Sequence, residues 1–181
     1  MKKICVYCGS SNQVDAIYKA EAQKVGHLLA DNGITLIYGG GNVGLMGELA
    51  RAALSHQGQV IGIIPQALMD IELGLMEVTE LIVVESMHER KSRMAELADG
   101  FIVLPGGIGT LEEFFEIFTW AQLGLHEKPI RVLNTNNYYE DLLKFLDKMS
   151  REKFLGQEHL AKIDICLSSE KLLPLLTFAN E

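Results

Sequence analysis

Residues 34–56, ITLIYGGGNVGLMGELARAALSH, pass from a short β-branched apolar stretch through a glycine cluster into a segment of helical period. Five of the nine residues from 39 to 47 are glycine. A strand that ends in a glycine turn and enters a helix at once is the repeating unit of parallel sheets, because parallel neighbours need a long crossover. Outward from this unit the same alternation recurs in KKICVYC (2–8), QVIGIIP (59–65), LIVVES (81–86), GFIVLPGG (100–107) and KPIRVLN (128–134). These runs are apolar on both faces, as strands covered by helices on each side must be.

Helical period fills the intervals, at Tyr18–Asn32, Leu45–His56, His88–Ala98, Leu111–Leu123 and Tyr138–Met149. After Phe154 the chain reads as a short helix, a weak strand at Ile163–Leu167 and a closing helix at Glu170–Leu176 that contains Pro174. The longest irregular connection is Gln66–Thr79, long enough to line a site. The expectation is α/β: a Rossmann-like, doubly wound, mostly parallel sheet of six to seven strands with helices on both faces, one domain over residues 1–181.

Composition narrows the class. The 181 residues are 48% hydrophobic and 22% charged, with mean hydropathy +0.15, which excludes a disordered chain. A formal net charge of −8 with no basic run argues against nucleic acid as a partner. No apolar run reaches 18 residues and no export signal is visible, so the expected location is the cytoplasm, away from membranes. Cys5, Cys8 and Cys166 are read as buried, inert thiols. His27, His56, His126 and His159 lack ligand spacing, so no metal is expected.

Three motifs carry chemistry. In YGGGNVGLMGE (38–48), Gly39, Gly41 and Gly44 satisfy G-x-G-x-x-G, and with Gly40 they form a candidate phosphate cradle at a helix N-terminus. The next strand ends in Ile64, Pro65 and Gln66, where a dinucleotide site needs an acid for the ribose, and no Walker lysine follows. NAD and ATP are therefore set aside.

The second motif, LPGGIGTLEE (104–113), again leaves a strand end and places Gly106, Gly107, Ile108, Gly109 and Thr110 before Leu111, Glu112 and Glu113. Two such turns at carboxyl ends of strands define one crevice. Thr110 and Glu113 also have the spacing of a capping box, so Glu113 is either a cap or a catalytic carboxylate. The third, SMHERKSRMA (86–95), opens with a capping box of Ser86 and Glu89. It places Arg90, Lys91 and Arg93 near a helix start, where cations are disfavoured unless anions meet them. CGSSN (8–12) adds Ser10 as a further candidate at the end of the first strand.

Taken together, GGGNVGLMG, SMHERK, PGGIGTLEE and TWAQLGLHEKP (119–129) resemble the LOG (Lonely Guy) family of cytokinin riboside 5′-monophosphate phosphoribohydrolases, formerly labelled lysine decarboxylase-like. The resemblance runs from Cys5 to about Phe154. It implies a Rossmann-like homodimer that hydrolyses the N-glycosidic bond of N6-modified adenosine 5′-monophosphates without cofactor or metal. It further implies that Arg90 and Glu113 are catalytic. Substrate-binding positions would be Ser10, Gly40, Gly41, Gly44, Glu72, Met87, Lys91, Gly106 to Glu112 and Thr119. Two other readings stand beside it: a broader purine nucleotide hydrolase that cleaves ordinary AMP, and a nucleotide-binding module without catalysis.

Overall fold

The structure is a computed structural model that describes residues 2–69 and 71–172. Seven strands form a single sheet: β1 (Lys3–Tyr7), β2 (Thr35–Tyr38), β3 (Val60–Pro65), β4 (Glu80–Val84), β5 (Gly100–Val103), β6 (Ile130–Leu133) and β7 (Ile163–Cys166). Their spatial order is β4-β3-β2-β1-β5-β6-β7, and every pairing is parallel. The expected weak seventh strand is therefore part of the sheet, paired with β6 from Ile130↔Ile163 to Leu133↔Cys166.

Among the described residues the α-helices are α1 (Ala16–Asp31), α2 (Gly44–Ser55), α3 (Met87–Leu97), α4 (Ile108–Gln122), α5 (Glu140–Arg151) and the short α6 (Gln157–Leu160). Strand periodicity sorts the core into two layers. Ile4, Val6 and Cys8 of the first strand and its turn join Ala22, Val25 and Leu29 of α1 and Leu45 and Leu49 of α2 on one face. Cys5 and Tyr7 join Met94 of α3, Phe114, Ile117 and Phe118 of α4 and Leu146 of α5 on the other. Helices thus cover both faces.

Two helices depart from the sequence reading by more than two residues. Helix α4 begins at Ile108 with Gly107 as its N-cap, three residues before the expected start, so Thr110 lies inside the first turn and the Thr110–Glu113 capping box does not exist. Of the expected helix at 170–176, the described part is a 3₁₀ turn at Ser169–Lys171, and the remainder lies outside the described residues. Among the described residues no helix is long and apolar enough to cross a membrane.

Candidate active site

The chain order reverses between β1 and β5, and there the turns that leave the two strands meet: Gly9 N–H donates to Pro105 O at 3.1 Å. At such a switch point the crevice lies beyond the carboxyl ends of the strands. A cavity of about 270 Å³ occupies it, reached by Ser10, Gly39, Glu72, Arg90, Gly107 and Glu113 among others. Five different strand ends contribute, which is why residues more than 100 positions apart face one space.

Arg90 is only 5% exposed. Its Nε donates to Ile63 O at 3.1 Å, and Nη2 donates to Gly39 O at 2.6 Å and to Glu72 Oε2 at 3.0 Å. Nη1 has the sulfur of Met87 at 3.7 Å, a weak acceptor, which leaves that end of the guanidinium for a ligand. Helix α3 delivers Arg90 because Ser86 caps it: Glu89 N–H donates to Ser86 Oγ at 3.1 Å, and Glu89 Oε2 accepts from Glu85 N at 2.9 Å. The expected box is present, with the glutamate reaching one residue further back.

The anions that meet the α3 cations are the protein's own. Glu72 pairs with Arg90. Lys91 Nζ donates to Glu112 Oε1 and, at 3.1 Å, to Glu116 Oε1. Burial of Lys91 favours its neutral form, but these two carboxylates prevail and its pKa is raised.

Among the described residues, Glu72, Glu112 and Glu113 are the carboxylates that line the crevice. With Glu112 on Lys91 and Glu72 on Arg90, Glu113 is the one without an ion pair among the described residues. It is half-buried, and burial is the main cause that raises its pKa to about 7; Glu112 and Glu72 push the same way, while Arg90 and Lys91 oppose. A carboxyl poised near neutrality in a cleft is the electrostatic mark of a functional group.

The N-terminus of α4 opens on the same cavity through Gly107, Ile108, Gly109 and Thr110. The first intrahelical bond is Leu111 N–H to Gly107 O at 3.1 Å, so the amides of the three preceding residues have no carbonyl one turn back and face outward with the positive end of the helix dipole. A β-carbon on Gly107 or Gly109 would meet open space; a ligand can approach that backbone closely.

The first glycine cluster serves a different end. Gly44 N–H donates to Asn12 Oδ1 at 2.8 Å and Leu45 N–H donates to Gly9 O at 2.9 Å, so the start of α2 is occupied by the protein itself and is not a phosphate cradle. Gly44 (φ 55°) would place a β-carbon 2.4 Å from the Ser10 carbonyl carbon. Gly40 (φ 77°) packs on Ile63 and Ile64, and Gly41 on Glu72. These glycines, together with Leu75 N–H on Gly40 O at 2.9 Å, seat residues 72–75 so that Glu72 overhangs the crevice.

Of the residues expected at the site, Ser10, Glu72, Met87, Arg90, Gly107, Ile108, Gly109, Thr110, Glu112 and Glu113 line it. Gly40, Gly41 and Gly44 are not among its lining residues, and Gly106 borders a neighbouring cavity. Leu111 packs partly buried into the core, and Lys91 points to the α4 carboxylates instead. Thr119 is exposed; six residues beyond Glu113 on α4 it is turned roughly 240° around the axis and does not reach the crevice. Tyr7, Cys8, Met46, Leu68 and Met94 also line the cavity and were not singled out. Apolar residues at core spacing carry no signal of a site. The three cysteines are free and buried, and burial raises their thiol pKa values, in keeping with inert thiols. Among the described residues no group of three or more His, Cys, Asp or Glu is arranged to hold a metal.

Comparison with known proteins places the chain in a family. A family model described as "Possible lysine decarboxylase" matches residues 46–176. Cytokinin riboside 5′-monophosphate phosphoribohydrolase LOG of rice (Oryza sativa subsp. japonica) is 46% identical over 157 residues, covering 87% of this chain and 65% of that protein. LOG1 of Arabidopsis thaliana, of the same name, is 48% identical over 155 residues, covering 86% of this chain and 73% of that one. Among solved structures, the molybdenum cofactor binding protein of Rippkaea orientalis superimposes with a TM-score of 0.74 at 24% identity, covering 97% of this chain and 96% of the other, a likeness of fold. By the extent of the model match and the identity to its plant relatives, the chain belongs to the "Possible lysine decarboxylase" family that includes the LOG proteins.

Proposed function

We propose that this chain hydrolyses the N-glycosidic bond of N6-modified adenosine 5′-monophosphates, releasing the free base and ribose 5-phosphate with no cofactor or metal. The observation that carries the reading is Glu113: a half-buried carboxyl, without an ion pair among the described residues, in one cavity with Arg90 and the open N-terminus of α4. The names of the plant relatives support the substrate class.

The geometry accounts for the steps. Amides at the start of α4 bind the 5′-phosphate through their N–H groups and the helix dipole. That anchors the ribose with C1′ toward Glu113. As the C1′–N9 bond breaks, the sugar gains oxocarbenium character, which an adjacent carboxylate stabilises electrostatically while orienting the attacking water. The water oxygen ends on C1′ and a proton ends on the departing base. Arg90, clamped by Gly39 O, Ile63 O and Glu72, offers Nη1 to the sugar hydroxyls and fixes their orientation.

Decarboxylation of lysine by a Schiff base requires a neutral, nucleophilic amine. No lysine is among the described crevice-lining residues, and Lys91 is held charged by two carboxylates. We further propose a cytoplasmic homodimer: the free thiols suit a reducing compartment, and Leu123 and Leu125, 67% and 69% exposed beyond the buried face of α4, offer apolar surface for a second copy.

The test is ribose 5-phosphate release from AMP and from isopentenyl-AMP by the purified protein. Preferential cleavage of the modified nucleotide is expected. Equal rates would establish a broader purine nucleotide hydrolase, and binding without release from either would establish a non-catalytic module.

A further inference from the structure

Behind the turn that opens α4 lies a second cavity of about 280 Å³, bounded by Val14, Tyr18, Pro105 and Tyr138. Gly107 lines both this cavity and the crevice, so the Gly106–Gly107 peptide stands in the wall between them. The Tyr138 hydroxyl, from the rear cavity, donates to Gly106 O at 2.7 Å. In a trans peptide the carbonyl and the following N–H point in opposite directions, and the described residues contain no cis peptide. A Gly106 carbonyl held toward Tyr138 therefore turns the Gly107 N–H away from the rear cavity, to the crevice side.

A peptide flanked by two glycines is the easiest kind to rotate, because neither neighbour has a β-carbon to restrict it. Flipped, it would aim a carbonyl oxygen at the position where the amides of Ile108, Gly109 and Thr110 gather an anion. Tyr138 is held for its task. Asn136 and Asn137 before it have φ of 52° and 56°, a left-handed conformation that asparagine tolerates better than other side chains. Its neighbour Tyr139 is tied by N–H to Asn134 Oδ1 and by hydroxyl to Leu104 O, each at 2.7 Å. The Tyr138 ring rests edge-on against Tyr18, 5.7 Å between centroids.

We infer that Tyr138 is a positioning residue for the phosphate site: its hydroxyl locks the Gly106–Gly107 peptide with the N–H toward the crevice and so sets affinity for the 5′-phosphate. This rests on the placement of the phosphate at α4 proposed above.

Tyr138→Phe removes the hydroxyl and keeps the ring; at 47% exposure the residue tolerates the change. Kd for AMP and for ribose 5-phosphate is expected to rise about tenfold, the value of one hydrogen bond to a charged group. KM for the nucleotide should follow, with kcat unchanged within about twofold, the pattern of lost uniform binding. Affinity for adenosine, which has no phosphate, should be unchanged. Equal AMP affinity in the two proteins would overturn the lock, as would an equal loss for AMP and adenosine, which marks a general structural role. A wild type that loses AMP affinity on Tyr138→Phe yet releases no ribose 5-phosphate retires the hydrolase reading and keeps the lock. A wild type that binds neither AMP nor ribose 5-phosphate retires both.

Discussion

Arg90 Nη2 lies 2.6 Å from the carbonyl oxygen of Gly39, and a β-carbon on Gly39 would fall 2.2 Å from that same nitrogen. The absence of a side chain at residue 39 is thus what admits the guanidinium to its seat. Gly39→Ala should displace Arg90 without unfolding the chain, because the far end of a flexible side chain can move where backbone cannot. Ribose 5-phosphate release is expected to fall by on the order of 100-fold, comparable to losing the orienting group altogether. Steady-state kinetics beside a melting curve check this; near-normal turnover in a folded Gly39→Ala protein would remove Arg90 from the mechanism.

Arg90→Lys keeps the charge and loses the planar fork that reaches Ile63 O, Gly39 O and Glu72 at once. An ammonium on a shorter stem satisfies some of these and leaves at least one buried carbonyl without its donor. Turnover should drop by on the order of 100-fold, and stability by on the order of 2 kcal/mol. Chemical denaturation and activity assays measure the two separately.

The sheet was legible because its strands are buried on both faces: Ile4 to Tyr7 is apolar throughout, and such short runs alternating with helical segments are the pattern of a parallel sheet covered by helices. Arg90 and Glu113 were legible as members of motifs at strand ends. The start of α4 was not, because its N-cap is Gly107, which has no side chain to advertise it, while Thr110 and Glu113 imitate a capping box by spacing alone. Nor was the division of labour between the two glycine turns. G-x-G-x-x-G reports that backbone comes close to something, and at Gly44 that something is Ser10, not phosphate. The Glu72–Arg90 pair joins a loop to a helix, and Met46, Leu68 and Met94 read as ordinary core. Such contacts follow from how the crossovers stack, which local periodicity does not encode.

Lys91 sits between Glu112 and Glu116 and is one of the charges that hold the Glu113 pKa down. Lys91→Met removes that cation and leaves two partly exposed carboxylates next to Glu113. The Glu113 pKa should then rise further, and the pH at which kcat/KM reaches half its plateau should move to the alkaline side of the wild-type value. A pH–rate profile of both proteins checks this; coincident profiles would show that Lys91 acts on structure alone.

Glu113→Gln separates chemistry from stability. Were Glu113 a helix cap, the amide would serve nearly as well and little would change in either. In the structure it is instead a carboxyl whose ionisation folding disfavours, its pKa raised from the usual 4.5 to about 7. The folded state then binds more protons than the unfolded state between those values, so Glu113 destabilises the fold progressively as pH rises from about 4.5 to about 7. Above that the deficit is constant, roughly 3 kcal/mol. Below pH 4.5 both states are protonated and no penalty remains. Gln does not titrate, so the variant should melt close to wild type at low pH and above it at pH 8, with the gap opening across that window. Its activity should fall by roughly 100-fold to 10,000-fold, since an amide neither stabilises an oxocarbenium ion nor holds the attacking water as a carboxylate does. Wild-type kcat/KM should rise with pH through about 7 as the carboxylate forms. Melting temperatures from pH 4 to 8 and a pH–rate profile test both halves, and a Gln variant that melts below wild type at pH 8 while turning over substrate normally would return Glu113 to a structural role.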